Sequence, residues 1–150
     1  MVGCVFCRIV DGTASAHVVD EDVDTIAFLD LNPIAPGHTL VVPKVHTDDL
    51  WSADAETAAA IMRATHRIAL HIRSVLAPDG LNLLHATRAA AFQSVFHLHV
   101  HVVPRWETDA LPEPPWPQPP GNPERLAAIA SRLRAGLHHH SEPRPPAVGR

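Results

Sequence analysis

The chain is poor in the features that mark several common protein classes. Among 150 residues there are two cysteines, Cys4 and Cys7. So sparse a pair builds no disulfide framework, and a reducing compartment disfavours bridging the two. No run of Lys or Arg occurs, and the formal net charge is −4. That argues against DNA or RNA polymers as partners, which call for a basic stripe. A small nucleotide remains open, since a few dipoles and histidines can hold one phosphate. No apolar stretch approaches the length that spans a bilayer. The N-terminus lacks a charged n-region and a long apolar core, so it does not read as a secretory signal. The expectation is a cytoplasmic protein without a membrane partner. No internal repeat is visible. The balance of 46% hydrophobic and 19% charged residues is ordinary for one domain with a real core.

What the chain does have is histidine, twelve in all. Three of them alternate in Val95-Phe96-His97-Leu98-His99-Val100-His101-Val102-Val103. A period of two among β-branched and aromatic residues predicts a β-strand. His97, His99 and His101 then line one face, with neighbouring imidazoles roughly 7 Å apart. Phe96, Leu98, Val100 and Val102 line the other. Three buried histidines need partners. A chance polar face would mix in Thr, Ser, Lys and Glu. Two chemistries stay open at this point. His-x-His is a metal-ligand spacing, and imidazole can act as nucleophile, base or acid near neutral pH.

The rest of the chain supplies a frame. Cys4-x-x-Cys7 reads as half a zinc site, a redox pair or two buried thiols. Strands are expected at 17–20 and 25–30 as a hairpin. A stiff Pro-Gly loop then leads to His38 at the mouth of a strand over 39–42, ended by Pro43. A helix is expected over 52–76, with Ser52 as N-cap and an apolar stripe of Ile61, Thr65, Ile68, Ile72 and Val75. His66 and His71 fall on its surface. A strand over 81–85 would form a hairpin with the histidine strand across the loop 86–93, and Pro104 would end the latter. Gln93 and Ser94 stand just before the histidine strand as a polar pair able to hydrogen-bond a phosphate. Six of the ten residues 111–120 are proline, enforcing extended chain. A second amphipathic helix follows Asn122-Pro123, and 138–150 reads as a disordered tail. The expected organisation is a domain over 1–106, a proline-rich segment and C-terminal helix over 107–137 packed on it, and the tail.

Phe92-Gln93-Ser94-Val95-Phe96-His97-Leu98-His99-Val100-His101-Val102-Val103-Pro104-Arg105 resembles the signature of the histidine triad (HIT) family of nucleotide hydrolases and transferases. Three further stretches match in family order. They are Cys4-Val5-Phe6-Cys7-Arg8-Ile9-Val10, Ala27-Phe28-Leu29-Asp30-Leu31-Asn32-Pro33, and Pro36-Gly37-His38-Thr39-Leu40-Val41-Val42-Pro43-Lys44 with His46. The resemblance covers residues 2 to 106. It implies an α+β, HIT-like fold: a five-stranded antiparallel sheet with one long helix, two subunits forming a homodimer with a ten-stranded sheet.

The resemblance also implies roles. His99 is the nucleophile, attacking the α-phosphorus of a purine nucleoside monophosphate derivative to form a covalent nucleotidyl-histidine. His101 and Ser94 hold phosphate oxygens and help protonate the leaving group. Gln93 adds a hydrogen bond near the phosphate, and His38 orients the triad. Phe6, Ile9, Phe28 and Leu31 surround the base, and Asp30 takes the ribose hydroxyls. Cys4, Cys7, His46 and His97 hold a structural zinc ion in a closed shell. The stretch 86–92 departs from the family pattern. Ala86 stands where Asn is common, and Arg88 and Phe92 where Gly is common. Gly permits positive φ and close backbone approach. The expectation is a reshaped loop, with Arg88 meeting the phosphate tail, or reduced activity. The competing reading is a purine-nucleotide-binding regulatory or scaffold protein with little turnover. A metal-dependent hydrolase using all three strand histidines is weaker, because their roughly 7 Å spacing is too wide for one ion.

Overall fold

The computed structural model describes residues 3–109 and Glu124. Two strands at its centre, β2 (Thr25–Leu29) and β3 (Thr39–Pro43), are buried almost throughout. They read as unbroken apolar runs because neither face is left to water. With β1 (Val18–Glu21), β4 (Gly80–Leu84) and β5 (Val100–Arg105), they form one antiparallel sheet in the order β1-β2-β3-β5-β4. The expected five-stranded α+β architecture is therefore present. The proline-rich segment, second helix and tail expected after 109 lie outside the described residues, Glu124 apart.

Alternation sorts the strand residues into two cores. Ala27, Val41, Val100 and Val102 meet Ile61, Ala64, Ile68 and Ile72 of α2 (Ala55–Leu76). Ile26, Phe28, Leu40 and Val42 face the other way, where Phe6 of the short helix α1 (Val5–Val10) covers them. The site histidines are carried by this second face.

Three expectations about element ends are corrected. Asp54, not Ser52, caps α2, accepting the Thr57 N–H at 2.7 Å. Ser52 is held by Asp49 instead, whose carboxylate accepts its N–H at 3.0 Å. Val75 is exposed, and Ile72 is the last α2 side chain in the core. Pro104 does not end β5, which runs on to Arg105. Pairing with β3 stops at Val102, so beyond it β5 has a neighbour on one side only. A missing N–H is tolerated at such an edge.

The loop from β4 to β5 keeps a glycine-like backbone without glycine. A 3-10 turn, Ala89–Ala91, is flanked by Arg88 at φ 68°, ψ 168° and Phe92 at φ 67°, ψ 24°. L-residues enter these regions at a cost of about 1–3 kcal/mol each. Arg88 is over-determined: its N–H donates to Gln93 Oε1 at 2.6 Å and its carbonyl accepts the Ala91 and Gln93 N–H groups. Its Nε donates to Asp49 Oδ2 at 2.9 Å, and the guanidinium lies 5.5 Å over the Trp51 ring. Arg88 is thus anchored on Asp49 and Trp51, and does not take the expected place at a phosphate tail. Burial pushes the Asp49 carboxyl up, but hydrogen bonds from Ser52 and Arg88 outweigh this and hold it below the ordinary value.

Phe92 has less compensation: its N–H bonds the Ala89 carbonyl at 2.9 Å, but the residue is 91% exposed. Phe92→Gly is expected to raise unfolding stability by about 0.5–1 kcal/mol. The measurement is a higher urea midpoint at unchanged slope.

Candidate functional site

The histidine stretch is strand for only part of its length. β5 begins at Val100, so His97 and His99 precede it, although a strand was expected over 95–103. Pro43 offers no N–H to extend the β3 ladder. The chain pairs elsewhere instead: the Leu98 N–H bonds the Thr47 carbonyl at 2.6 Å, and the His97 N–H turns back to Val95 at 2.9 Å. The His99 and His101 ring centroids lie 5.0 Å apart, closer than a flat strand spaces alternate residues. Phe6 packs edge-on against both His97 and His99, at 5.8 and 5.3 Å.

Hydrogen bonds assign the tautomers. His99 Nδ1 donates to the His97 carbonyl at 2.7 Å, which leaves the lone pair on Nε2. His38 Nδ1 accepts the Ile34 N–H at 3.1 Å, so its proton sits on Nε2 and is donated to His101 Nδ1 at 2.9 Å. His101 therefore carries its proton on Nε2. Among the described residues neither His99 Nε2 nor His101 Nε2 has a protein partner, and neither is sealed from solvent. Burial lowers the pKa of His38 and of His99. Burial, with the neighbouring His99 and His38, takes His101 down to about 4. All three are neutral near pH 7, so His99 offers a free lone pair.

A cavity of about 240 Å³ opens beside these rings. Phe6 and Ile9 of α1, with Phe28 and Leu40, line its apolar end. Asp30, Ser94, His99 and His101 line its polar end. Leu31, 76% exposed, stands at the rim. Asp30 is oriented by the Asn32 N–H at 2.8 Å, and its other oxygen lies 3.7 Å from His38 Nε2. His38 stands behind His101 and does not line the cavity. Gln93 was expected beside a phosphate, and here its amide is taken up by the loop. It is buried, its amide donates to the Asp48 and Val95 carbonyls at 2.6 and 3.0 Å, and its Oε1 holds Arg88. It ties three loop segments together. One site residue was missing from the expected set. His85, one residue past β4, donates from Nδ1 to the His99 carbonyl at 2.8 Å. The signal for it is a histidine at the end of the strand paired with the histidine strand.

Four ligand atoms converge nearby. One each from Cys4, Cys7, His46 and His97 lie within 4.8 Å of one another. Cys4 Sγ is 3.4 Å from His97 Nδ1, and Cys7 Sγ is 3.1 Å from His46 Nδ1 and 3.6 Å from His97 Nδ1. A tetrahedral shell with about 2.2 Å bonds has edges of about 3.6 Å. His46 Nε2 donates to Asp48 at 2.9 Å, and His97 Nε2 donates to the Pro43 carbonyl at 2.8 Å. Both Nδ1 lone pairs therefore face the sulfurs, with outer partners of the kind that orient metal ligands. Burial, then Cys4, raises the Cys7 thiol pKa, which a cation would reverse. The donor set fits zinc. Asp30, His38 and His101 also converge. There the facing nitrogens are already used by one another.

Comparison with known proteins places the chain. A family model of the HIT domain matches residues 11–108. Protein hit of Bacillus subtilis is 41% identical over 103 residues, 69% of this chain and 71% of that protein. An adenylylsulfatase of Arabidopsis thaliana is 37% identical over 108 residues, 72% of this chain and 55% of that protein. The structure resembles that of a zinc-bound histidine triad family protein from Mycobacterium smegmatis, with a TM-score of 0.71 and 40% identity, covering 89% of this chain and 97% of that one.

The buried histidines make stability depend on pH. The folded pKa values of His38 and His101 lie below the ordinary 6.5, so the unfolded chain takes up protons first as pH falls. The His101 contribution is fully present above pH 6.5 and is lost as pH falls toward about 4, and His38 acts in the same direction. The urea midpoint is expected to drop between about pH 7 and pH 5, and to drop less steeply in His101→Gln.

Proposed function

The chain belongs to the HIT family, and on that premise we propose that it is a nucleotide hydrolase or transferase acting through a covalent nucleotidyl-histidine. One observation carries the reading. The unprotonated Nε2 of His99 adjoins a cavity with an apolar slot at one end and a carboxylate, Asp30, beside it. Such a slot with one polar anchor suits a purine nucleoside. Phe6, Ile9, Phe28 and Leu31 contact the base, and Asp30 accepts from the ribose hydroxyls.

His99 Nε2 attacks the α-phosphorus, the bond from phosphorus to an amine, acyl or phosphate leaving group breaks, and a phosphorus–nitrogen bond forms. Ser94 and the Nε2–H of His101 donate to the phosphoryl oxygens. The departing group, hydrogen-bonded by Ser94 and His101, takes the proton it needs from solvent as the bond breaks. Water then attacks the phosphorus and His99 Nε2 leaves. His38 keeps His101 in the required tautomer. That Gln93 and Arg88 are committed to the loop, and that Ala86 lacks a polar side chain, favours the second reading: a nucleotide-binding protein of low turnover.

Zinc is assigned to Cys4 Sγ, Cys7 Sγ, His46 Nδ1 and His97 Nδ1. This closed shell supplies cross-linking rather than an open reaction position. A homodimer joined through edge strand β4 would cover the exposed Leu83 and Leu84. No helix among the described residues is long and apolar enough to cross a membrane.

Purified protein is expected to release AMP from adenosine 5′-phosphoramidate, and His99→Ala to release none while still binding AMP. Binding of AMP by both proteins with turnover by neither would leave the nucleotide-binding reading standing. Metal analysis is expected to find about one zinc per chain. Cys7→Ala should lose it, with a thermal midpoint lower by about 5 °C or more.

A further inference from the structure

We propose that His85 is a positioning residue for the nucleophile, fixing the peptide from which the His99 side chain projects. The inference rests on the reading of His99 as nucleophile. Strand pairing ends just short of that peptide on both sides: β4 meets β5 last at Leu84 and His101, and β3 meets it last at Val41 and Val100. The His99 carbonyl lies beyond both ladders and is met by a side chain.

That side chain is half-buried and has one usable tautomer. The His99 carbonyl can only accept, so the His85 proton sits on Nδ1 and Nε2 accepts the Thr87 Oγ1–H at 2.9 Å. Nδ1 donates to the His99 carbonyl at 2.8 Å. His99 is then pinned twice, at its carbonyl by His85 and at its ring by the His97 carbonyl. With both ends held, rotation of the imidazole is confined and Nε2 keeps one direction. Ala86, between His85 and Thr87, can supply no such contact. The two residues flanking it do, coupling the reshaped loop to the nucleophile.

The test uses the full chain with three variants. His85→Leu removes the donor. His85→Asn retains an N–H close to the position of Nδ1. Thr87→Val keeps the ring and removes the hydroxyl that His85 Nε2 accepts from. Turnover of adenosine 5′-phosphoramidate and affinity for AMP are measured for each. His85→Leu is expected to lower kcat about 10- to 100-fold, with KM and AMP affinity within about threefold of wild type. His85→Asn should recover most of the loss, and Thr87→Val should fall between. Unchanged kcat in His85→Leu, or equal loss of kcat and AMP affinity in His85→Leu and His85→Asn, overturns the proposal. Should His85→Leu not fold, the comparison of Thr87→Val with His85→Asn decides in the same way. Absence of turnover in wild type would defeat the reading of the reaction instead. Histidine-ring NMR then decides for His85 alone: one sharp set of His99 ring resonances in wild type and His85→Asn, with broadened or doubled resonances in His85→Leu, supports the role, and the same single sharp set in His85→Leu overturns it.

Discussion

His97 has polar groups on its ring and its main chain, and each is committed in a different direction. Nδ1 faces the two thiols, Nε2 donates to the Pro43 carbonyl at the end of β3, and the carbonyl accepts from His99. The ring is fully buried. An unpaired polar atom there would cost about 1–3 kcal/mol, so none of these bonds can be given up cheaply. The N-terminal helix, the sheet and the tautomer of His99 are thereby joined at one residue. Rotation of the His97 ring would break its contact with the two thiols at the start of α1. A change in its main chain would let the wrong nitrogen of His99 carry the proton.

The remaining histidines extend the same logic. A row of buried imidazoles could protonate in many combinations, each presenting a different set of lone pairs and protons to the cavity. Fixed partners reduce that number. The Ile34 N–H sets His38, His38 sets His101, and the His99 carbonyl sets His85. Burial then keeps His38, His99 and His101 neutral. Preorganisation of this kind costs stability at low pH and leaves little to rearrange when a ligand arrives.

Much of this arrangement was legible in the residues, and the exceptions have physical reasons. β2 and β3 were plain because burial on both faces leaves an unbroken apolar run. The alternation of His97, His99 and His101 was legible too, but it says which side chains share a face, not which backbone partner each residue has. Thr47 and Val95 take the main chain where β3 and β4 were expected to, and the strand starts late. Ser52 and Asp54 are both good caps, and only the long-range claim of Asp49 on Ser52 decides between them. Gln93 adjoins a phosphate-like motif, yet its amide is used by carbonyls 45 residues upstream and two residues downstream. His85 belongs to no spacing pattern, and only its place at the end of the strand paired with the histidine strand points to it, because its partner is a carbonyl.

α1 is six residues long, under two turns, and too short to flex between its ends. Cys7 lies on it and Cys4 caps it, while Phe6 and Ile9 of the same helix wall the cavity. Anything that tightens the sulfur end also narrows the positions open to the aromatic end. An ion bound at one end and a planar ring bound at the other would act on the same small set of helix placements. By reciprocity each would then change the other's dissociation constant by the same factor, with no contact between them. A cross-link that stabilises the fold would in that case also set the grip on the base.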